Sequence, residues 1–171
     1  AASKKGAEAL CYTYHYLYGL DITVLRYFTV YGPAGRPDMS IFRFIKWIDE
    51  GVALELFGDG TQARDFTYVD DIALGTLKAL KKVGFEVINL GGGRRPCSLK
   101  KVISHLEKGL GKKALIKQHS FHNTDMYSTW AQITKAKRLL AWSPKVTLKE
   151  GLDRTLAWYR QNRSWLRNIS L

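Results

Sequence analysis

The sequence predicts an α/β fold, because segments with the composition of buried strands alternate along the chain with segments of helical periodicity. Of the 171 residues, 46% are apolar, which is enough for one compact domain with a hydrophobic core. The elements are irregularly spaced, and no internal repeat is present. No strand is followed by a glycine-rich phosphate-binding turn, so a complete doubly wound dinucleotide-binding domain is not expected.

Helices are predicted where apolar residues recur every three or four positions between typical helix ends. The first runs from Ser3 to Tyr18 and stops at Gly19, a natural C-terminal residue. Ser40 is expected to cap the second helix and Ser98 a later one. The predicted helices cover residues 3–18, 41–50, 69–80, 99–110, 133–141 and 148–162.

Strands are predicted at short β-branched and apolar runs that are bounded by glycine or proline. Residues 31–33 break the first strand into a loop, and residues 58–60 form a tight turn after the second. Three glycines at 91–93 follow a strand, but they lack the spacing of a dinucleotide-binding motif and are predicted to form a loop. The predicted strands cover residues 22–28, 53–57, 64–68, 87–90 and 114–117.

The formal net charge of +12 suggests an anionic partner such as nucleic acid, a membrane surface or a phosphorylated metabolite. The basic residues form short scattered runs typical of solvated faces, and neither a nucleic-acid recognition motif nor a zinc ligand set is present. No segment approaches the ~18 apolar residues of a membrane span. We therefore expect no metal site and no membrane association, and a nucleic-acid partner is disfavoured. Cys11 and Cys97 are expected to be reduced thiols of a cytoplasmic protein without a signal peptide.

The first eight residues resemble the end of a helix motif in the extended short-chain dehydrogenases and reductases. Residues 1–5 match the tail of that family's Tyr-x-x-x-Lys motif, with Lys4 as the lysine and the tyrosine one residue before Ala1. The resemblance implies that Lys4 is catalytic and also binds the nicotinamide ribose of NAD. Residues four apart share a helix face, and a cationic lysine there lowers the pKa of the tyrosine, which exchanges a proton while hydride moves.

Residues 25–33 resemble the strand and loop that enter the substrate pocket of that family. Thr29 stands where many sugar epimerases carry asparagine, and threonine there is similar to the UDP-glucuronate 4-epimerases. The following residues 35–39 extend the same similarity. The resemblance implies a cofactor contact for Tyr31 and substrate contacts for Thr29 and Met39.

The segment from residue 54 to residue 71 carries the most specific resemblance. In the family, the strand that matches Leu56 and Phe57 lies along the nucleotide base, and the arginine that matches Arg64 meets the diphosphate. A guanidinium suits a phosphate because its planar fork donates two parallel hydrogen bonds. Burial of Phe57 in the core is an equally open interpretation. Asp70 and Asp71 are predicted to lie in the first turn of a helix, where carboxylates favour the helix dipole.

Residues 124–136 resemble the family segment that reaches the nucleotide ribose. The aspartate that matches Asp125 accepts hydrogen bonds from the ribose hydroxyls, which suits a carboxylate. Gln132 departs from the family pattern, which has aspartate there, and this leaves one helix-start contact in doubt. His122 stands where some relatives carry a phosphate-binding arginine, so it is either a phosphate ligand or an ordinary loop histidine.

Together these resemblances imply the C-terminal part of an NAD-binding, Rossmann-like extended short-chain dehydrogenase with a small substrate-binding α/β domain. Residues 1–35 would be the remnant of the dinucleotide-binding domain, and residues 36–171 would mainly form the UDP-sugar-binding domain, with residues 64–90 returning to the Rossmann sheet. The implied activity is C4 epimerisation through a 4-keto intermediate, which we expect to be absent from these 171 residues alone. A non-catalytic nucleotide-sugar-binding module, a UDP-sugar dehydratase or decarboxylase, and a nucleic-acid-binding domain remain alternatives.

The same resemblance predicts self-association. The first helix would present an apolar face with Leu10, Cys11, Tyr14, Leu17 and Tyr18, and the strand that follows would lack a neighbour on one edge. An unpaired strand edge next to an apolar patch favours association with another chain. We therefore expect a homo-oligomer.

Overall fold

The computed structural model describes residues 1–171 as an α/β fold, as predicted. Seven helices and eight short strands alternate along the chain. The helices are α1 (Ala2–Tyr18), α2 (Ser40–Glu50), α3 (Val69–Lys78), α4 (Leu99–Leu110), α5 (Thr134–Leu140), α6 (Leu148–Gln161) and α7 (Arg163–Leu166). The strands are β1 (Ile22–Tyr27), β2 (Val30–Tyr31), β3 (Leu54–Phe57), β4 (Ala63–Arg64), β5 (Thr67–Tyr68), β6 (Phe85–Leu90), β7 (Cys97–Ser98) and β8 (Ile116–His119). No helix combines the length and the apolar character needed to cross a bilayer.

The strands pair in four separate two-stranded sheets. Strands β1 and β6 pair in parallel, in a register that runs from Ile22 opposite Phe85 to Tyr27 opposite Leu90. The β2–β5 and β3–β8 pairs are also parallel, and only the β4–β7 pair is antiparallel. Parallel pairs require crossover connections, which explains the helices between their strands. The predicted division at residue 35 and the predicted return of residues 64–90 to the Rossmann sheet both stay predictions; within that segment, β6 pairs with β1.

The larger of two hydrophobic cores holds 18 buried residues, contributed mainly by α2, β3, α4 and α6. Apolar periodicity explains its composition, since Ile41, Phe44, Ile45 and Ile48 recur on one face of α2 and are all buried. Two aromatic side chains at the carboxyl end of the β2–β5 pair, Tyr31 and Tyr68, belong to this core. The core therefore fixes the position of the loop that begins at residue 32.

The smaller core holds nine buried residues and lies beside the β1–β6 pair. Ile88 and Leu90 of β6 are fully buried against Ala136 and Leu140 of α5 and against Trp142. The indole N–H of Trp142 donates to the backbone carbonyl of α3 at residue 71, with a distance of 2.8 Å. Strand β1 contributes only partly buried residues to this core, so the β1 side of the sheet is left open.

Helix α1 is the least buried element of the fold, with no buried residue along its 17 positions. Of the predicted apolar face, Leu10, Tyr14, Leu17 and Tyr18 are exposed, and Cys11 is half-buried. Strand β1 pairs with β6 alone, so its other edge is unpaired. The structure therefore has the exposed helix face and the open strand edge that the sequence predicts.

Three local predictions are wrong. Residues 64–68 do not form one strand, because the buried carboxylate of Asp65 accepts hydrogen bonds from the backbone N–H groups of Gly93 and Ala131, and the chain changes partner there. Ser40 does not cap α2, which starts at Ser40 with Met39 in the N-cap position. The hydroxyl of Ser98 makes no capping bond to α4, although Ser98 occupies its N-cap position.

Candidate functional site

An open cavity of about 580 Å³ lies at the carboxyl end of β1 and is lined mainly by the chain from Tyr27 to Arg36. Three residues predicted from the sequence, Thr29, Tyr31 and Met39, line it together. The backbone carbonyl of Thr29 accepts from the N–H of Thr67 at 2.9 Å, which holds the start of the loop against β5. In α/β folds, ligands bind where parallel strands end, and this cavity has that position.

Tyr31 is buried to 5% exposure, and its hydroxyl donates to the carbonyl of Leu148 at 3.3 Å. Burial, together with the nearby acidic groups Asp71 and Glu150, raises the pKa of the phenol well above its ordinary value. The hydroxyl is therefore neutral and directed toward α6. Tyr31 still lines the cavity, and its predicted cofactor contact stays a prediction.

Lys4 lies in the first turns of α1, exposed, and forms no ion pair. Its helix is attached to β1 through Glu8, whose carboxylate accepts two hydrogen bonds from Arg26, at 2.6 and 2.5 Å. Arg26 and Lys5 together lower the pKa of Glu8 to about 2. Because Lys4 and Glu8 are four residues apart, they share the helix face that meets β1. Lys4 thus lies one helical turn before Glu8, and it is not among the residues that line the cavity.

Arg64 and Asp125 are joined directly, with 2.6 Å between Arg64 Nη2 and Asp125 Oδ1. Arg64 Nη1 also donates to the carbonyl of Met126 at 2.7 Å and to that of Ala63 at 2.9 Å. The Arg64 side chain is 16% exposed and that of Asp125 is 43% exposed, so the pair sits at the rim of the fold. The structure therefore brings together the two residues that the sequence assigns to the diphosphate and the ribose.

His122 belongs to the same turn as Asp125, because its backbone carbonyl accepts from the Asp125 N–H at 2.8 Å. Its ring is exposed, and Nδ1 lies 2.7 Å from the hydroxyl of Thr124. The Nε2 atom of the ring has no hydrogen-bond partner in the protein. The phosphate-ligand hypothesis for His122 stays a prediction.

Leu56 and Phe57 occupy opposite faces of β3. Leu56 is buried in the larger core, so only its backbone is left for the predicted ligand contact. Phe57 is 47% exposed, which decides against the core interpretation. Its ring stacks on His119, which is opposite it in the β3–β8 register, with 5.0 Å between ring centroids.

Two features of this region were missed at the sequence level. His119 also bonds to Glu55, and this contact lowers the pKa of that carboxyl. Phe121 and Tyr127 stack in parallel, with centroids 4.5 Å apart and planes 7° apart, on the two sides of the turn that holds Asp125. The register of β8 determines the first contact, and no local signal in the sequence specified it.

The remaining acidic candidates support the fold. Asp70 and Asp71 both lie in the first turn of α3, as predicted. Asp71 is buried and accepts from the backbone N–H groups of Lys145 and Val146, at 3.0 and 2.9 Å. No group of three or more histidine, cysteine, aspartate or glutamate side chains is arranged to hold a metal ion.

The proteins that this chain resembles in sequence come from one family. The NAD dependent epimerase/dehydratase family matches residues 1–91. The UDP-glucuronate 4-epimerase of Thermodesulfobacterium geofontis is 60% identical over 171 residues, which are all of this chain and 53% of that protein. The chain spans about half the length of the curated relatives that it matches.

Solved structures agree with this likeness. UDP-glucuronic acid 4-epimerase from Bacillus cereus, in complex with UDP-glucuronic acid and NAD, is 44% identical, with a TM-score of 0.88 over 94% of this chain and 52% of that one. UDP-glucose 4-epimerase from Thermotoga maritima, with UDP-glucose, is 33% identical, with a TM-score of 0.89 over 95% of this chain and 53% of that one. With more than half of its residues matched by the family, this chain belongs to the NAD dependent epimerase/dehydratase family.

Proposed function

We propose that this chain is the nucleotide-sugar-binding half of an NAD-dependent UDP-sugar 4-epimerase, with UDP-glucuronate or UDP-glucose as substrate. The observation that carries the proposal is the Arg64–Asp125 pair, which places a cation and a carboxylate 2.6 Å apart at the rim of the fold. A sugar nucleotide offers the matching chemistry, because its diphosphate needs donors and its ribose offers two vicinal hydroxyls as donors.

The proposed binding mode follows from the neighbours of this pair. The guanidinium of Arg64 would turn from Asp125 to the diphosphate, and the released carboxylate would accept from the ribose hydroxyls. Phe57, exposed and stacked on His119, would provide the surface for the base. The sugar would then extend toward the cavity that contains Thr29 and Met39.

The residues of this chain fit one end of NAD. The cavity at the end of β1 is large enough for a nicotinamide beside a sugar, and Lys4 is exposed and forms no ion pair. Lys4 would donate to the nicotinamide ribose. When bound, NAD would supply the hydride acceptor for C4 of the sugar. The chain has no glycine-rich turn for the cofactor phosphates, so we expect these 171 residues alone to bind UDP without epimerising a UDP-sugar.

Calorimetry with UDP tests the proposed site. Arg64→Ala should weaken UDP binding by roughly tenfold to a hundredfold, because it removes charge-assisted hydrogen bonds to phosphate. Arg64→Lys should recover only part of the affinity, since a point charge replaces a planar fork. Arg138, which is exposed on α5, supplies the matched control, and Arg138→Ala should leave the affinity unchanged. Equal losses in Arg64→Ala and Arg138→Ala would contradict the site.

We also propose that the chain self-associates through α1 and the open edge of β1. Helix α1 exposes Tyr16 and Leu17 to 76% and 61%, and β1 has an unpaired edge beside it. Light scattering should show an oligomer that Leu17→Glu dissociates. Leu115, 60% exposed near β8, gives the matched control, because Leu115→Glu should not change the mass. A monomer at high concentration would refute the proposal.

A further inference from the structure

The ion pair between Arg64 and Asp125 uses, within the protein, the same atoms that the proposed binding mode assigns to a ligand. Nη2 of Arg64 donates to Oδ1 of Asp125 at 2.6 Å. Nη1 donates to the backbone carbonyls of Ala63 and Met126, at 2.9 and 2.7 Å. Any phosphate that approaches Nη2 therefore competes with a carboxylate that already belongs to the site.

The turn that carries Asp125 is joined to the rest of the fold mainly through Arg64. Every hydrogen bond between residues 122–126 and the rest of the chain involves the guanidinium of Arg64. The chain after the turn is anchored differently, because the backbone N–H of Ala63 donates to the carbonyl of Tyr127 at 2.8 Å. Residues 122–126 are all exposed. Asp125 can therefore move away from Arg64 without disturbing either hydrophobic core.

The two oxygens of the Asp125 carboxylate differ in their contacts. Oδ1 accepts from Arg64 and from the backbone N–H of Met126, at 2.6 and 2.8 Å, whereas Oδ2 has no partner in the protein. A vicinal diol has two donors for these two oxygens. One ribose hydroxyl can bind to Oδ2 while the ion pair is intact, and the second can replace Arg64 at Oδ1. The guanidinium released in this way is available to a diphosphate on the same molecule.

A phosphate or pyrophosphate ion without a nucleoside has no such route to Arg64. It can displace the carboxylate from the guanidinium, but it offers no pair of hydroxyl donors to the carboxylate that it displaces. Asp125 would then be left as an unpaired negative charge beside an anion, and two like charges in close proximity repel each other. The ion pair therefore opposes anions that do not carry a diol.

We propose that Asp125 is a specificity-determining residue, which excludes phosphate and pyrophosphate from Arg64 and admits a diphosphate that carries a vicinal diol. The inference rests on the proposed function, from which it takes the diphosphate contact of Arg64 and the ribose contact of Asp125. It adds a selection against the anions that lack the nucleoside.

Calorimetric titration with sodium pyrophosphate and with UDP, at one pH and at constant ionic strength, tests the exclusion. Asp125→Asn keeps the shape of the side chain and removes its charge. It should raise the affinity for pyrophosphate about threefold or more, because the carboxylate no longer competes for Arg64. It should lower the preference for UDP over pyrophosphate by about tenfold, because the neutral amide also binds the ribose hydroxyls less strongly.

Asp153→Asn is the matched control. The side chain of Asp153 is 53% exposed, compared with 43% for Asp125, it pairs with His105, and its substitution changes the net charge by the same amount. The affinity of this variant for pyrophosphate should equal that of the parent protein. In an Arg64→Ala background, Asp125→Asn should no longer raise the affinity for pyrophosphate, because the effect acts through the guanidinium.

The exclusion and the proposed function fail in different ways. If Arg64→Ala leaves UDP binding unchanged, the proposed site is wrong and the exclusion is wrong with it. If Arg64→Ala weakens UDP binding but pyrophosphate binding to Asp125→Asn is unchanged or undetectable, only the exclusion is overturned. An equal rise in Asp153→Asn, or a rise that persists without Arg64, would also overturn it.

Discussion

Two glycines inside helices should respond in opposite directions to the same substitution. Gly6 lies in α1, where an added Cβ would meet nothing within 4 Å. Gly151 lies in α6, where the added Cβ would press against the hydroxyl oxygen of Tyr31 and lie 2.7 Å from its Cζ and 2.9 Å from Tyr68 Cδ2. Both ring systems belong to the larger core, so neither is free to move away.

The magnitudes follow from two opposing effects. In both helices, glycine to alanine removes backbone freedom from the unfolded chain and stabilises by about 0.5–1 kcal/mol. At Gly151 the new methyl group also overpacks a rigid site, which costs about 1–3 kcal/mol. We therefore expect Gly6→Ala to stabilise the fold by about 0.7 kcal/mol and Gly151→Ala to destabilise it by about 1 kcal/mol or more. For a chain of this size, each kcal/mol corresponds to roughly 2–4 °C in Tm.

Urea unfolding followed by tryptophan fluorescence measures both effects. Combining Gly151→Ala with Tyr31→Phe adds an internal control, because it removes the oxygen that the new methyl group meets. The cost of Gly151→Ala should then fall, and the difference in the cycle is the coupling between α6 and the cavity loop. If Gly151→Ala raises the unfolding free energy as Gly6→Ala does, Tyr31 does not pack against α6 as described.

Two further predictions concern carboxylates. Asp71→Ala should lower the free energy of unfolding in urea by about 3 kcal/mol, because it leaves two backbone amides of the 145–146 segment without their buried charged acceptor. Asp70→Ala, the matched control, should lower it by less than about 1 kcal/mol. Equal losses in the two variants would contradict the structural role of Asp71. In the folded state the contact with Arg26 lowers the pKa of Glu8 from 4.5 to about 2. The stabilisation from this contact is therefore present above pH 4.5 and is lost as the pH falls toward 2. Glu8→Gln should therefore lose stability relative to the parent protein at neutral pH, and the gap in urea midpoints should close across that window.

The sequence predicted the secondary structure well where the pattern of apolar residues is local. The apolar periodicity of α2, α4 and α6 predicted their positions to within one or two residues. Gly19 ends its helix in the left-handed conformation expected of it, and Gly51 has the same conformation at the end of α2. Resemblance, not local pattern, identified Arg64 and Asp125, and the structure joins them across 61 positions of sequence. No periodicity in the sequence could predict a direct contact between residues so far apart in the chain.

Prediction failed where a tertiary contact overrides local preference. The 64–68 segment has strand composition, but Asp65 is buried and turns its carboxylate to two backbone amides from other loops, which divides the strand. The contacts of His119 with Phe57 and Glu55 were not predicted for a related reason. They depend on the β3–β8 register, and β8 lies two residues later in the chain than its composition suggested.

The two hydrophobic cores differ in how completely the surrounding elements enclose them. The larger core encloses 18 buried residues between α2, α4 and α6, so the elements that carry Arg64 and Phe57 rest on a closed interior. The smaller core has nine buried residues, and on one side it is covered only by β1, which is itself not buried. A helix of 17 residues without a buried side chain gains little from tertiary packing, which is the main source of helix stability in proteins. Under the proposed function, we therefore expect nucleotide binding to need only the closed core, and we expect the placement of Lys4 to depend on what covers α1 and the free edge of β1.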